Sequence, residues 1–202
     1  SIYASRVIDT ILEQKDAYGR GAAKGERVMV EYSQPNTHKA FHVGHLRNVM
    51  LGGAMSNILS FAGYDTVRAN YIGDIGWHVI KWMWCYLKFH RGEGPEGDCT
   101  HWMADIYAEA TQLVDSNPDC EEEARRLFMR WDDLDPEILE LWKRTRKWSL
   151  EGFDQIYNVL GEHFDVIFYE SEVEESGKDL VDKLINRGIA SDERPEGGPV
   201  IV

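Results

Sequence analysis

Cysteine is scarce in this chain of 202 residues, and the three present, Cys85, Cys99 and Cys120, are odd in number and far apart. That excludes a disulfide framework and leaves reduced thiols as the expectation. None of them has the short spacing of a metal-ligand pair, so no metal site is expected. Also missing are a leader-like start and any apolar run near the roughly 18 residues that cross a bilayer. A soluble cytoplasmic protein without membrane contact is therefore expected. Internal repeats and low-complexity tracts are absent, which excludes a repeat architecture. Basic charge is short as well: 22 Lys and Arg stand against 35 Asp and Glu, for a net charge of −13. Such an excess of acid argues against a freestanding nucleic-acid binder.

The charge is uneven. Residues 1–90 hold 10 basic against 7 acidic side chains, and residues 91–202 hold 12 against 28. An acidic helical surface that keeps the protein in solution is the plain account of the second part. A site for an anionic ligand belongs in the first. There, Val28–Tyr32 reads as an apolar strand, Val43–Ala62 as a helix stopped by Gly63, and Thr66–Tyr71 as a second strand. That spacing makes a βαβ unit with a right-handed crossover, and ligands of such sheets lie beyond the carboxyl ends of the strands. Tyr32–Asn36 and Ile72–Gly76 should therefore meet at one crevice. A helix over about 76–90 follows, then a Gly-rich break at Arg91–Asp98. Helices are expected near His101–Ser116, Glu121–Trp131 and Pro136–Leu160, the last two with an N-cap Asp. Then come a strand at Val166–Tyr169, a helix at Gly177–Arg187, a turn at Arg194–Pro199 and a closing strand from Val200. Ser1–Tyr18 reads as a linker helix with Ile2, Val7, Ile8, Ile11 and Leu12 on one side.

Between the first strand and its helix runs Ser33-Gln34-Pro35-Asn36-Thr37-His38-Lys39-Ala40-Phe41-His42-Val43-Gly44-His45. The free N–H groups and dipole of the helix start favour phosphate. His42 and His45, three apart, share a face of the first turn and can donate to a phosphate gaining charge in a transition state. Gly44 leaves room for a flat ligand such as adenine against the backbone. Taken alone, the histidine pair also fits a simple polar helix end. A His38/His42/His45 zinc site lacks a Cys, Asp or Glu to complete it.

This run resembles the His-x-Gly-His signature of class I aminoacyl-tRNA synthetases, and more closely the arginyl-tRNA synthetase form Ser-x-Pro-Asn-x-x-Lys-x-x-His-x-Gly-His-Leu-Arg. The match falls at Ser33, Pro35, Asn36, Lys39, His42, Gly44, His45, Leu46 and Arg47. It continues through Leu51–Ala54 and Gly63–Asp74, thins through Trp142-Lys143 and Asp165-Val166, and covers about residues 26–202. Two departures stand out: Ile75 where many members have Trp, and Ala40 where many have Pro.

The resemblance implies an α/β fold: the first half of a Rossmann-like nucleotide-binding parallel sheet, with a mostly helical insertion. The implied division is a linker helix at 1–25, the half-sheet at 26–90, the insertion at 91–199 and a returning strand at 200–202. The implied activity is arginine–tRNA ligation, with ATP, Mg²⁺ carried by the ATP, L-arginine and tRNA(Arg), in an enzyme that is a monomer. His42, His45 and Lys39 are the implied catalytic residues at the phosphates, with Ser33 and Gly44 also on ATP. Glu31, Ser33, Asn36 and Asp74 are the implied arginine contacts, since a carboxylate matches a guanidinium bidentately. Each has a plainer alternative: Lys39 as a solvated lysine, Glu31 as a strand-end carboxylate, Asn36 as a turn former, Asp74 as the cap of the next helix. The family's second signature, a Lys-Met-Ser-Lys-like loop, has no match, so a piece that is inactive or feeble by itself is expected. The alternatives are a small nucleotidyltransferase using the same loop and a non-catalytic interaction module derived from a synthetase. The tryptophans are expected in the core, not as base-stacking platforms.

Overall fold

The computed structural model describes residues 2–194 and 200–201. Its centre is a parallel sheet of three strands in the order β1 (Arg27–Glu31), β2 (Asp65–Ile72), β3 (Val166–Tyr169). Arg27 pairs with Asp65 and Glu31 with Ala69, while Ala69 pairs with Val166 and Ile72 with Tyr169. Helix α2 (Val43–Phe61) joins β1 to β2 as the expected βαβ unit. It lies so close to the end of β1 that a Cβ on Gly52 would fall 2.1 Å from the Tyr32 ring. Gly63 follows α2 at φ +98°, a backbone open to glycine, and ends it as the sequence suggested.

After α3 (Trp77–Phe89) come α4 (Cys99–Ser116), α5 (Pro118–Asp132) and α6 (Pro136–Leu160). These four helices share one core, in which Trp82, Met83, Cys85, Ala110, Ala124 and Ile138 are fully buried. All seven tryptophans lie in that core or against it, as expected of core residues. Helix α5 is capped by Asn117, whose side chain accepts from the Asp119 N–H, and not by an aspartate; α6 is capped by Asp135. Proline follows directly at N1 of both, where its missing N–H costs nothing. A smaller core of Val49, Ile72, Phe153 and Tyr157 lies between the sheet, α2 and α6.

Three expectations need correction. Helix α7 runs Glu170–Asn186, starting directly after β3 and seven residues before Gly177, because its first turn is held by a remote carboxylate described below. Strand β3 falls within 91–199, yet it extends the parallel sheet. The segment Val200–Ile201 forms β5, paired antiparallel with a short β4 (Ser191–Asp192) and outside the three-stranded sheet. The turn placed at 194–199 lies outside the described residues except for Arg194, as does Val202. The N-terminal helix α1 (Ile2–Gln14) forms as expected and buries no residue. Among the described residues, no helix is long and apolar enough to cross a membrane.

Candidate nucleotide site at the start of α2

The loop between β1 and α2 is pinned to the end of β2. Asn36 bridges to Gly73, the Thr37 N–H donates to the Gly73 carbonyl at 2.9 Å, and the Gly73 N–H donates to the Pro35 carbonyl at 3.3 Å. The two strand ends thus meet at one crevice. Asn36 Oδ1 stands 2.2 Å from where a Cβ on residue 73 would be, so any larger residue there would displace the Asn36 side chain.

Side chains from α6 then hold the loop from behind. Ser33 is fully buried at φ +77°, and its Oγ lies 2.7 Å from the Tyr157 hydroxyl, which also accepts from Asn70 Nδ2 at 3.1 Å. The Ser33 hydroxyl, expected to contact a ligand, is thus engaged by α6. The His38 N–H donates to Ser149 Oγ at 2.9 Å; its ring lies between Thr37 Oγ1 and Thr145 Oγ1, edge-on to Trp82. Burial, with His78 nearby, pushes the His38 pKa down to about 3. It is an anchor, buried away from His42 and His45. Phe41 packs on Phe153 and Tyr157.

His42 and His45 are a reciprocal cap. The Gly44 N–H donates to His42 Nδ1 at 3.1 Å, and the His42 N–H donates to His45 Nδ1 at 3.3 Å, as in a capping box. The rings stack with centroids 3.9 Å apart. Since both Nδ1 atoms accept, the proton of each neutral ring sits on Nε2. Each ring therefore keeps one N–H donor beyond the cap. Burial first, then His42 and Lys39, push the His45 pKa down to about 4. Lys39 is half-buried, with Nζ 5.5 Å from the Tyr107 ring centroid on α4, so this end of the loop touches the helical cluster. Gly44 is exposed, and its N–H is used by His42.

Glu31 is exposed and accepts from Gln34 Nε2, so the buried carboxylate suggested by its strand is not what forms; β1 alternates exposed and half-buried residues. Beside it opens a cleft of about 340 Å³ lined by Tyr32, Gln34, Asn48, Leu51, Gly52 and Met55. Asp74 is fully buried, and its carboxylate accepts from Arg146 Nε at 2.6 Å, the Ser171 N–H at 2.8 Å and Ser171 Oγ at 2.7 Å. It caps α7 and not α3, whose N-cap Gly76 has no side-chain bond. Arg146 lies 4.0 Å over the Tyr169 ring, so Asp74 already holds a guanidinium of this chain.

Sequence reasoning missed Tyr157, Arg146 and His78. His78 Nε2 is buried and, among the described residues, has no hydrogen-bond partner; burial and then Lys39 push its pKa down to about 4. Its position two residues after the Gly73–Gly76 turn was the one available signal.

Comparison with known proteins identifies relatives of the chain. Arginine–tRNA ligases of Treponema denticola and Borrelia turicatae are 37% and 35% identical to the chain over 192 and 193 residues. Those alignments cover 92% and 93% of this chain but 32% and 33% of the relatives, so the chain spans about a third of their length. Among solved structures, arginyl-tRNA synthetase from Plasmodium falciparum superimposes with a TM-score of 0.62 at 21% identity, covering 84% of this chain and 29% of that one. The Thermus thermophilus arginyl-tRNA synthetase gives 0.58 at 22% identity, covering 88% and 29%. These two speak for the fold. The family profile described as "tRNA synthetases class I (R), catalytic domain" matches residues 7–202, and the chain belongs to that family.

Proposed function

We propose that this chain is the part of an arginine–tRNA ligase that binds ATP and L-arginine for adenylate formation. In that reaction a carboxylate oxygen of arginine attacks the α-phosphorus of ATP, the α–β bridging bond breaks, and pyrophosphate leaves, with Mg²⁺ travelling on the nucleotide. The terminal ribose hydroxyl of tRNA(Arg) then attacks the acyl carbon and releases AMP. No side chain forms a covalent bond; positioning and charge stabilisation carry the rate. The observation that carries the reading is the reciprocal His42/His45 cap, which leaves an Nε2–H on each ring at a helix N-terminus.

In this reading His42, His45 and Lys39 face the phosphates, Gly44 lies under the adenine, and Glu31 with Asn36 holds the arginine. Ser33 and Asp74 support the site from behind. The exposed Glu31 carboxylate beside its cleft is the group suited to a guanidinium. Residues 1–25 act as a linker, and α4–α6 form the insertion carried by the sheet. The enzyme works as a monomer in the cytoplasm.

Calorimetric titration of the 202-residue chain tests this. ATP should bind, and a His42→Ala/His45→Ala double variant should lose it. Arginine should bind in preference to citrulline, and Glu31→Gln should remove that preference. ATP binding unchanged in the double variant would place the phosphates elsewhere. ATP binding with no preference for arginine would favour a nucleotidyltransferase.

A further inference from the structure

A second group of reactive side chains lies away from that loop, where α3 meets α4. His90, the C-cap residue of α3, projects between two carboxylates. Its Nδ1 is 2.9 Å from Glu93 Oε2 and its Nε2 is 2.8 Å from Glu109 Oε2. The thiol of Cys85, fully buried one turn earlier on α3, completes the group. One donor atom from each of Cys85, His90 and Glu109 lies within 4.8 Å of the other two. Tetrahedral zinc, with bonds of about 2.0–2.3 Å, sets its donors roughly 3.3–3.8 Å apart, so modest side-chain adjustment closes the set.

Two further features point the same way. A metal-bound histidine characteristically gives its other ring N–H to a carboxylate or carbonyl, which fixes the tautomer. Glu93 stands at that place on His90. Without a cation, a protonated His90 donates to both carboxylates; with one between Nε2 and Glu109, the ring gives up that proton and keeps Nδ1–H on Glu93. The nearby cations are also committed elsewhere. Lys81 donates to Thr111, Lys88 pairs with Glu123, and Arg91 pairs with Glu137. Among the described residues, no Lys or Arg pairs with Glu93 or Glu109.

We propose that Cys85, His90 and Glu109 form a site for a zinc-class divalent cation, with Glu93 orienting His90. The sulfur–nitrogen–oxygen donor set suits zinc and excludes calcium and magnesium, which take oxygen ligands. Thiolate and carboxylate together balance a charge of two, and the thiol proton is released to solvent on binding. The fourth position opens toward solvent, where Glu109 is 42% exposed. The cation ties the end of α3 to the middle of α4 and closes the glycine-rich 91–98 connection between them. Because α3–α6 already share a core, it raises the melting temperature of a folded protein and does not switch folding on.

Co²⁺ titration of the untagged, metal-stripped chain tests the proposal. One equivalent should bind with a four-coordinate visible spectrum and a thiolate-to-cobalt charge-transfer band, both displaced by Zn²⁺. The charge-transfer band should vanish in Cys85→Ser. Glu109→Gln, at the solvent-facing rim, guards against a Cys85 variant that does not fold; it should weaken Co²⁺ affinity and abolish the Zn²⁺-dependent rise in melting temperature. Glu93→Gln should weaken affinity about tenfold. The His42→Ala/His45→Ala variant should bind Co²⁺ like the parent chain. No charge-transfer band in the parent, a band that survives in Cys85→Ser, or binding lost with His42 and His45 would each overturn the site. His90 would then be a bridge between two carboxylates and nothing more.

Discussion

In the helical cluster α3–α6, Trp82, Met83, Cys85 and Ile138 are fully buried, and every tryptophan joins one continuous core. In the sheet half the buried core is Val49, Ile72, Phe153 and Tyr157, and the last two come from α6. Helix α2 meanwhile exposes Met50, Leu51, Met55 and Ile58, each by more than half. The cluster is held by apolar packing, whereas the loop carrying the candidate site is held by polar bonds. Those bonds run to α6 from more than a hundred residues away: Ser33 to Tyr157, and His38 to Thr145 and Ser149. The helical segment therefore does more than decorate the sheet. It sets the backbone that presents His42 and His45.

The largest effect should come from the cluster itself. Trp82→Ala removes a fully buried indole that stacks on Tyr86 and donates to the Met103 carbonyl. It should cost about 3–5 kcal/mol of unfolding free energy. Urea denaturation followed by far-ultraviolet circular dichroism measures this. A small loss would mean that α3–α6 do not form the tight core described, and the comparison would fail.

Asp74→Ala should come next. It leaves the Arg146 guanidinium, 21% exposed, without its partner, and removes the cap of α7. Breaking a buried pair on one side costs about 3 kcal/mol or more. Asp74→Asn keeps acceptor oxygen for Ser171 and should cost less, with hydrogen exchange quickening in the first turn of α7. If Ala and Asn cost the same, the charge on Arg146 does not matter and the clasp is packing alone.

Acid separates the two regions more gradually. His38, His45 and His78 have pKa values pushed from near 6.5 down to about 3, 4 and 4, chiefly by burial. Between those values and 6.5 the unfolded chain binds more protons than the folded one, so stability falls as pH falls through that window. Above about 6.5 these groups are neutral in both states and contribute no slope. All three lie in or beside the loop, so hydrogen exchange below pH 6 should quicken there first, with α4–α6 still protected. Uniform loss across both regions would show that the loop and the cluster unfold as one unit.

Legibility from the sequence followed the distance between partners. Helix α6 could be read at both ends because its signals are local: Asp135 and Pro136 at the start, Gly161 after the end. The start of α2 at Val43 could be read for the same reason, but the reciprocal His42/His45 cap was not. Strand β4 could not, because Ser191 and Asp192 carry no apolar alternation and pair only through β5. The start of α7 was misplaced because its cap is supplied by Asp74, 97 residues earlier. The partners of Ser33 and Asp74 could not be read for the same reason: Ser33 meets Tyr157 and Asp74 meets Arg146, both on α6.

The smallest expected effect on stability falls at the residue with the most to say about function. His42→Ala removes the N-cap acceptor of α2 and should cost about 0.5–2 kcal/mol. His42→Asn restores a good N-cap residue, so most of that loss should return. Asparagine does not restore the outward Nε2–H, because its shorter side chain spends its oxygen on the cap. If the ring serves phosphate, ATP binding measured by calorimetry stays weak in His42→Asn while the melting temperature recovers. If ATP binding recovers together with stability, His42 is a helix cap and nothing more. The polar loop would then be organised for folding, as the apolar cluster is, and the phosphate-binding role would pass to His45 and Lys39.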